Sequence, residues 1–304
     1  MFYERVRESL AGRVLVGEET LKLALAALLS GGHLLLEDVP GTGKTTFAKA
    51  LARALGLAFG RIQMTPDLLP QDLTGTYLLR EGSLVWEKGP LFAQVLLVDE
   101  LNRATPRTQS ALLEAMAEGQ VTLEGKTHPL PKPFFVLATQ NPVEEEGTFP
   151  LPVAQRDRFA ARLALGYPDE KALLKALRGK DPLEGLTPVA GAEEILDLKR
   201  RVAEVRVSEE LLDYLLALSA WLRGRGEVRL GPSPRALLQV ERLAQGLALL
   251  EGRAYLVPED LQRAFRAAIP HRLLLRLEAE LSGLTPEGLV EEALKAVPVP
   301  VEAA

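Results

Sequence analysis

Lys44 and Thr45 close a turn that carries Gly41 and Gly43, in the run DVPGTGKTT over positions 38–46. An apolar run, Leu34 to Glu37, precedes this turn, and an amphipathic stretch, Thr46 to Leu55, follows it. Strand, glycine turn and helix in that order are what a phosphate-binding loop needs. Glycines let backbone N–H groups approach phosphate oxygens, and the start of a helix adds a field that favours an anion. Lys44 would reach the β- and γ-phosphates and the Thr45 hydroxyl would ligate Mg2+. Pro40, Gly41, Thr42, Gly43 and Thr46 complete the contact with the nucleotide. The strict pattern has glycine where this chain has Asp38.

Further downstream, VLLVDE at 95–100 reads as a buried strand ending in two acids. An apolar run ending in DE is a weak signal alone, since charges commonly mark where a strand meets solvent. Paired with the loop at 38–46 it becomes specific: Asp99 would hold the Mg2+ shell and Glu100 would polarise the attacking water. Together these residues describe binding and hydrolysis of ATP. In LATQNP, Asn141 stands just past another strand, where a neutral amide could orient a water near the γ-phosphate. A turn-forming Asn before Pro142 has the same spacing. The chain has only two asparagines, Asn102 and Asn141, and both fall beside this chemistry.

Two arginines suit charge stabilisation. Arg158, in AQRDRF, could reach a neighbour's γ-phosphate, with Arg156 as its rival. Arg235, in GPSPRA, starts a helix and could fold back on the nucleotide of its own subunit. Each could equally be an ordinary surface residue. His33, His128 and His271 are isolated and lack metal-ligand spacing. Glu144 to Glu146 reads as a solvated loop, and Arg200, Arg201 and Arg206 as a charged helix face.

The elements that must position these residues alternate. Strands are predicted at 34–37, 61–64, 95–98, 134–139 and 161–165, with helices between them. That rhythm calls for a mostly parallel sheet covered on both faces, an α/β fold. Thr76 to Trp86 and Gln120 to Pro133 each hold a Glu-Gly turn and read as inserted hairpins. Helical stretches follow near 193–204, 208–223, 234–250, 258–269 and 287–296. We therefore expect an α/β core over residues 1–179, a linker over 180–192 and a small all-α lid over 193–304.

Composition narrows the function. The net charge is −5, and neither half of the chain is basic, with 17 basic and 21 acidic residues up to position 170 and 19 and 20 beyond it. That balance argues against a protein that coats nucleic acid. With no cysteine, there are no disulfides, thiolate metal sites or cysteine nucleophiles. The most apolar stretch, Leu21 to Leu29, is too short to span a bilayer, and no signal peptide is evident, so a cytoplasmic protein is expected.

Five runs in order, LLLEDVPGTGKTTFAKALA, RIQMTPDLLPQDLTG, VDELNRATPRTQSALLEAMAEGQVT, LATQNPVEEEGTFPLPVAQRDRF and GPSPRA, make the sequence resemble a MoxR-family AAA+ ATPase over nearly its whole length. Asp38 is common in the loops of that family. The resemblance implies that Lys44 and Thr45 are Walker A, Asp99 and Glu100 Walker B, Asn141 sensor 1 and Arg235 sensor 2. It makes Arg158 the best match to the arginine finger, although the family motif reads LDRF and this chain has RDRF. It further implies ATP and Mg2+ as cofactors, a homo-oligomeric ring (commonly a hexamer), and chaperone-like assembly or activation of partner proteins, frequently ones with a von Willebrand factor A domain. The two hairpins match inserts that tend to face the central pore of such rings. A nucleic-acid motor, a chelatase-type motor subunit and an ATP-gated switch with little turnover are the alternatives.

Overall fold

A computed structural model describes residues 1–37, 43–140, 148–165 and 181–300. The chain begins with α1 (Phe2–Leu10) and α2 (Glu18–Leu29), enters β1 (Leu34–Glu37), and resumes at α3 (Lys44–Ala54). β2 (Phe59–Gln63) and α4 (Pro70–Thr74) lead into the first hairpin, β3 (Gly75–Arg80) and β4 (Ser83–Lys88). β5 (Val95–Asp99), α5 (Pro106–Glu118), the second hairpin of β6 (Gln120–Leu123) and β7 (Lys126–Pro129), β8 (Phe135–Gln140), α6 (Val153–Arg156) and β9 (Ala161–Leu163) follow.

Five strands form a parallel sheet in the order β2-β5-β8-β1-β9. The central strands are almost wholly apolar because both faces are covered. Alternate residues divide between the faces. Leu34, Leu36, Val95, Leu97, Phe135 and Leu137 join one core with α1, α2 and α3, whereas Leu35, Leu96, Val98, Val136 and Ala138 join another under α5 and the second hairpin. Each strand therefore delivers its last residue to one edge of the sheet, and α/β folds bind ligands at that edge.

Both hairpins turn on Glu-Gly pairs. Glu81 and Gly82 have φ of 49° and 79°, and Glu124 and Gly125 have 49° and 73°, the sign that tight two-residue turns require.

The second half is helical: α7 (Ala192–Val202), α8 (Glu209–Arg223), α9 (Pro234–Leu250), α10 (Pro258–Ala268), α11 (Leu277–Leu281) and α12 (Pro286–Ala296). Its core is continuous with the first face of the sheet. Helix α9 packs closely on α2, where a Cβ on Gly246 would stand 2.9 Å from the Ala26 carbonyl oxygen. The all-α expectation needs one correction. Val228–Leu230 (β10) pairs antiparallel with Leu274–Leu275 (β11), segments too short to carry a period-two pattern. The predicted fifth strand is also shorter, ending at Leu163. The boundary expected at 179 and the last four residues lie outside the described residues.

Candidate functional site

The nucleotide loop meets the fold at α3. Gly43 is its N-cap with φ of 86°, a left-handed conformation that glycine adopts without steric cost. The first helical hydrogen bond runs from Phe47 N–H to the Gly43 carbonyl at 2.8 Å. The N–H groups of Lys44, Thr45 and Thr46 thus precede the helical ladder and can serve an anion. These three residues are half-buried at the start of the helix. Pro40, Gly41 and Thr42 lie outside the described residues, as does Asn141.

Asp99 ends the central strand β5 and is 9% exposed. Its Oδ2 accepts a hydrogen bond from Arg61 Nε at 2.6 Å, from the neighbouring strand β2. Glu100 then leaves the strand with φ of 53°. Among the described residues, the only other non-glycine residues with positive φ are the two hairpin glutamates, so Glu100 alone holds that conformation outside a tight turn. Such a backbone costs about 1–3 kcal/mol and persists only where its surroundings fix it. Here the Thr139 hydroxyl, on β8, accepts the Glu100 N–H at 2.8 Å. At the other end of the residue, Arg103 Nη1 donates to Glu100 Oε2 at 3.2 Å. Buried Gln109 braces the turn between them, its Nε2 donating to the carbonyls of Ala104 and Phe149 at 3.0 Å each.

Arg61, Arg103, Thr139 and Gln109 were not legible as site residues from spacing. Arg61 and Thr139 do stand inside the runs RIQMTP and LATQNP, and their contacts cross between strands.

The residues present fit Mg2+ bound together with a nucleotide. The Thr45 hydroxyl and the Asp99 carboxylate are the oxygen donors that would fit it, and no group of three or more His, Cys, Asp or Glu among the described residues could form an all-protein cage. Mg2+ suits such a site, because it keeps waters and is commonly held by one or two carboxylates plus phosphate oxygens.

Arg158 and Arg235 lie elsewhere. Arg158 is two residues before Ala160, whose N–H donates to the His33 carbonyl at 2.9 Å, at the amino-terminal end of β1. Arg235, exposed in the first turn of α9, borders a cleft with Gly31, Gly32 and Ala160 at that same end. Strand β1 is about 13 Å long at the usual rise per residue, and the nucleotide loop begins at its other end. We expected Arg235 to fold back on the nucleotide of its own subunit; α9 places it at the edge of the sheet opposite the end of β1 from which the loop follows. There the two arginines share one frame. Buried Arg272 donates to Asp157 Oδ1 at 2.7 Å and to the Phe159 carbonyl at 2.7 Å, and it also reaches Gln239 on α9. Neither Arg158 nor Arg235 has a carboxylate partner among the described residues.

Arg156 behaves differently. Burial first, then Arg162 nearby, lowers its pKa, while Glu37 opposes that shift. Its Nε is buried without a partner among the described residues. It is turned into its own chain beside β1 and β9.

The three histidines each contact other groups of the chain. His33 is buried, accepts the Val136 N–H at Nδ1 (3.0 Å) and sets Nε2 3.4 Å from the Met116 carbonyl. His271 Nε2 is 2.9 Å from the Phe159 carbonyl. His128 joins the hairpins, stacked 3.8 Å from Trp86 and 3.2 Å from the Tyr77 hydroxyl.

Known proteins match both halves. A family model described as an ATPase family associated with various cellular activities (AAA) covers residues 33–161, and one described as an AAA lid domain covers 219–293. The uncharacterized protein YeaC of Bacillus subtilis is 46% identical, over 95% of this chain and 92% of that one. The chaperone MoxR1 of Mycobacterium tuberculosis is 39% identical, over 95% of this chain and 80% of that one. A crystal structure of a Cytophaga hutchinsonii protein, classed provisionally as an ATPase, superposes with a TM-score of 0.90 at 36% identity, covering 99% and 96% of the two chains. By sequence and by fold, the chain belongs to the MoxR family of AAA+ ATPases.

Proposed function

We propose that this protein hydrolyses ATP with Mg2+ at sites shared between subunits of a ring, a hexamer in our reading, and uses the cycle to remodel partner proteins in the cytoplasm. One observation carries the shared site. Lys44, Thr45, Asp99 and Glu100 stand at the carboxyl edge of the sheet, whereas Arg158 and Arg235 stand at its amino edge. Two arginines without acid partners among the described residues, held in one frame away from their own nucleotide, suit the phosphates of a neighbour.

In this reading Lys44 and the loop residues Pro40 to Thr46 hold the phosphates, and Thr45 and Asp99 hold Mg2+. Glu100 orients and polarises water, with Asn141 beside it. Arg158 and Arg235 supply positive charge from the next subunit, and Arg156 serves its own chain. Bound Mg2+ would offset charge on the phosphate oxygens. The protein's part is positioning and charge stabilisation.

A protein client is favoured by the first hairpin, where Leu79 and Leu84 pair across the strands at 72% and 71% exposure. Apolar side chains left in water at a protruding hairpin are suited to contact a partner. A von Willebrand factor A domain is the partner class our family resemblance suggests. No helix among the described residues is long and apolar enough to cross a membrane.

Four variants test the reading. Glu100→Gln should retain ATP while hydrolysis falls, and Lys44→Ala should weaken binding itself. Mixed assemblies of Glu100→Gln with either Arg158→Ala or Arg235→Ala should recover part of the activity that each lacks alone. Full hydrolysis by an isolated monomer would exclude the shared site.

A further inference from the structure

A cleft of ≈ 510 Å³ opens between the root of the second hairpin and α7, at the amino-terminal end of β1 and β8. It is separate from the nucleotide loop, which lies at the other end of β1. Met116, Leu130, Phe134 and Leu196 give it apolar walls. The ring of His33 packs edge-on against Phe134, 5.7 Å between centroids. Both His33 nitrogens face the backbone, so the imidazole offers the cleft neither a base nor a metal ligand.

The charges at the rim are unbalanced. Lys132, Lys199 and Arg200 line the cleft against one acid, Glu118. Arg200 is already paired with Asp197 at 3.0 Å. Lys199 is not: its side chain lies over the turn before β1, with Cε and Nζ each 3.8 Å from where a Cβ on Gly31 would stand. Neither Lys132 nor Lys199 has a carboxylate partner among the described residues. Burial and then the Lys132 charge push the Lys199 ammonium below the usual lysine range. Buried polar groups ordinarily find partners, and a half-buried cation beside a like charge is costly.

We propose that this cleft binds a small organic phosphate, its dianionic head between Lys132 and Lys199 and its apolar body against Phe134 and Leu196. Two point-charge ammonium groups suit a phosphate dianion better than a single carboxylate. The volume is that of an ordinary small-molecule site. Such a ligand touches the hairpin root, the turn into β1 and α7 at once. It would therefore stiffen the lid against the strand that ends at the nucleotide loop.

The test uses phenyl phosphate as probe, with benzoate and inorganic phosphate as comparators, and binding read by calorimetry on the full chain. Phenyl phosphate should bind best of the three. Lys199→Met should weaken it about tenfold or more, the loss of one charge-assisted contact, whereas Lys44→Ala should leave it unchanged. Equal binding to parent and Lys199→Met, or loss only in Lys44→Ala, would overturn the site. Benzoate binding as tightly as phenyl phosphate would overturn the phosphate class. Should Lys199→Met fold poorly, labelling of the unaltered chain with acetic anhydride decides. Lys199 should label readily and be protected by phenyl phosphate, and labelling indifferent to the probe refutes the proposal.

Discussion

Thr139 offers the sharpest test of how the fold supports hydrolysis. Its hydroxyl, on a residue 3% exposed, accepts the N–H of Glu100 at 2.8 Å. Glu100 is held at φ of 53° immediately after Asp99. Thr139→Val keeps the branched shape and removes the acceptor. The N–H is then left without its partner beside a buried strand, at a cost of about 1–3 kcal/mol. Because the left-handed backbone stores a comparable amount, the cheapest response is for residue 100 to relax and carry its carboxylate out of line. We expect kcat to fall by about fivefold to 150-fold, the rate equivalent of 1–3 kcal/mol. Nucleotide affinity, set at α3, should change little. Thr139→Ser keeps an Oγ and should recover most of the loss. Steady-state ATP turnover with ADP binding measured in parallel separates the two effects. A Thr139→Val protein that folds normally and turns over within twofold of the parent would show that this hydrogen bond does not position Glu100.

Stability should depend on pH through His33, whose folded pKa is pushed down to about 4 by burial from an ordinary value of 6.5. The unfolded chain takes up the proton first, so this contribution is complete above pH 6.5 and is lost as pH falls toward 4, about 3 kcal/mol in all. In urea titrations His33→Gln should be less stable at neutral pH yet lose that part of the slope, while His271, lowered in the same direction, keeps its own share. Asp260 is fully buried, pairs with Arg253 at 2.6 Å and caps α10 through the Val257 N–H at 3.0 Å. Asp260→Ala should cost about 3–5 kcal/mol by denaturation, and Asp260→Asn less because the cap survives. A loss below 1 kcal/mol for Asp260→Ala would mean that the pair adds little. Arg272→Met removes the tie between α9 and the segment bearing Arg158. Turnover of the assembled protein should fall, by as much as about a hundredfold if the arginine shifts by an ångström, with ADP binding by the chain unchanged.

The strand β1, the helix start at Lys44, the acidic strand end and both hairpins were readable because each is local. Apolar runs of four to six residues, Glu-Gly turns and a lysine at a helix start are dictated by backbone sterics and burial over a few neighbours. β1 begins and ends at the predicted residues, and α9 and α12 match to within a residue. Arg61 on Asp99 and Thr139 on Glu100 were invisible because register between strands sets them, and parallel register depends on the whole sheet. The pairing of β10 with β11 was missed for the same reason, joining segments 44 residues apart.

The reading of phosphate chemistry and its acids thus rests on the sequence alone, through residue type and short-range order. The tertiary structure decided at which edge of the sheet each arginine stands. Arg235 follows Ser233 and Pro234 at the start of a helix in either case, and nothing local tells that helix where to lie. Its place comes from the packing of Gly246 on Ala26 and from Arg272 beneath Asp157, long-range contacts that swing α9 to the amino-terminal edge. That edge, opposite the end of β1 from which the loop follows, is what leads us to propose that Arg235 serves a neighbouring subunit.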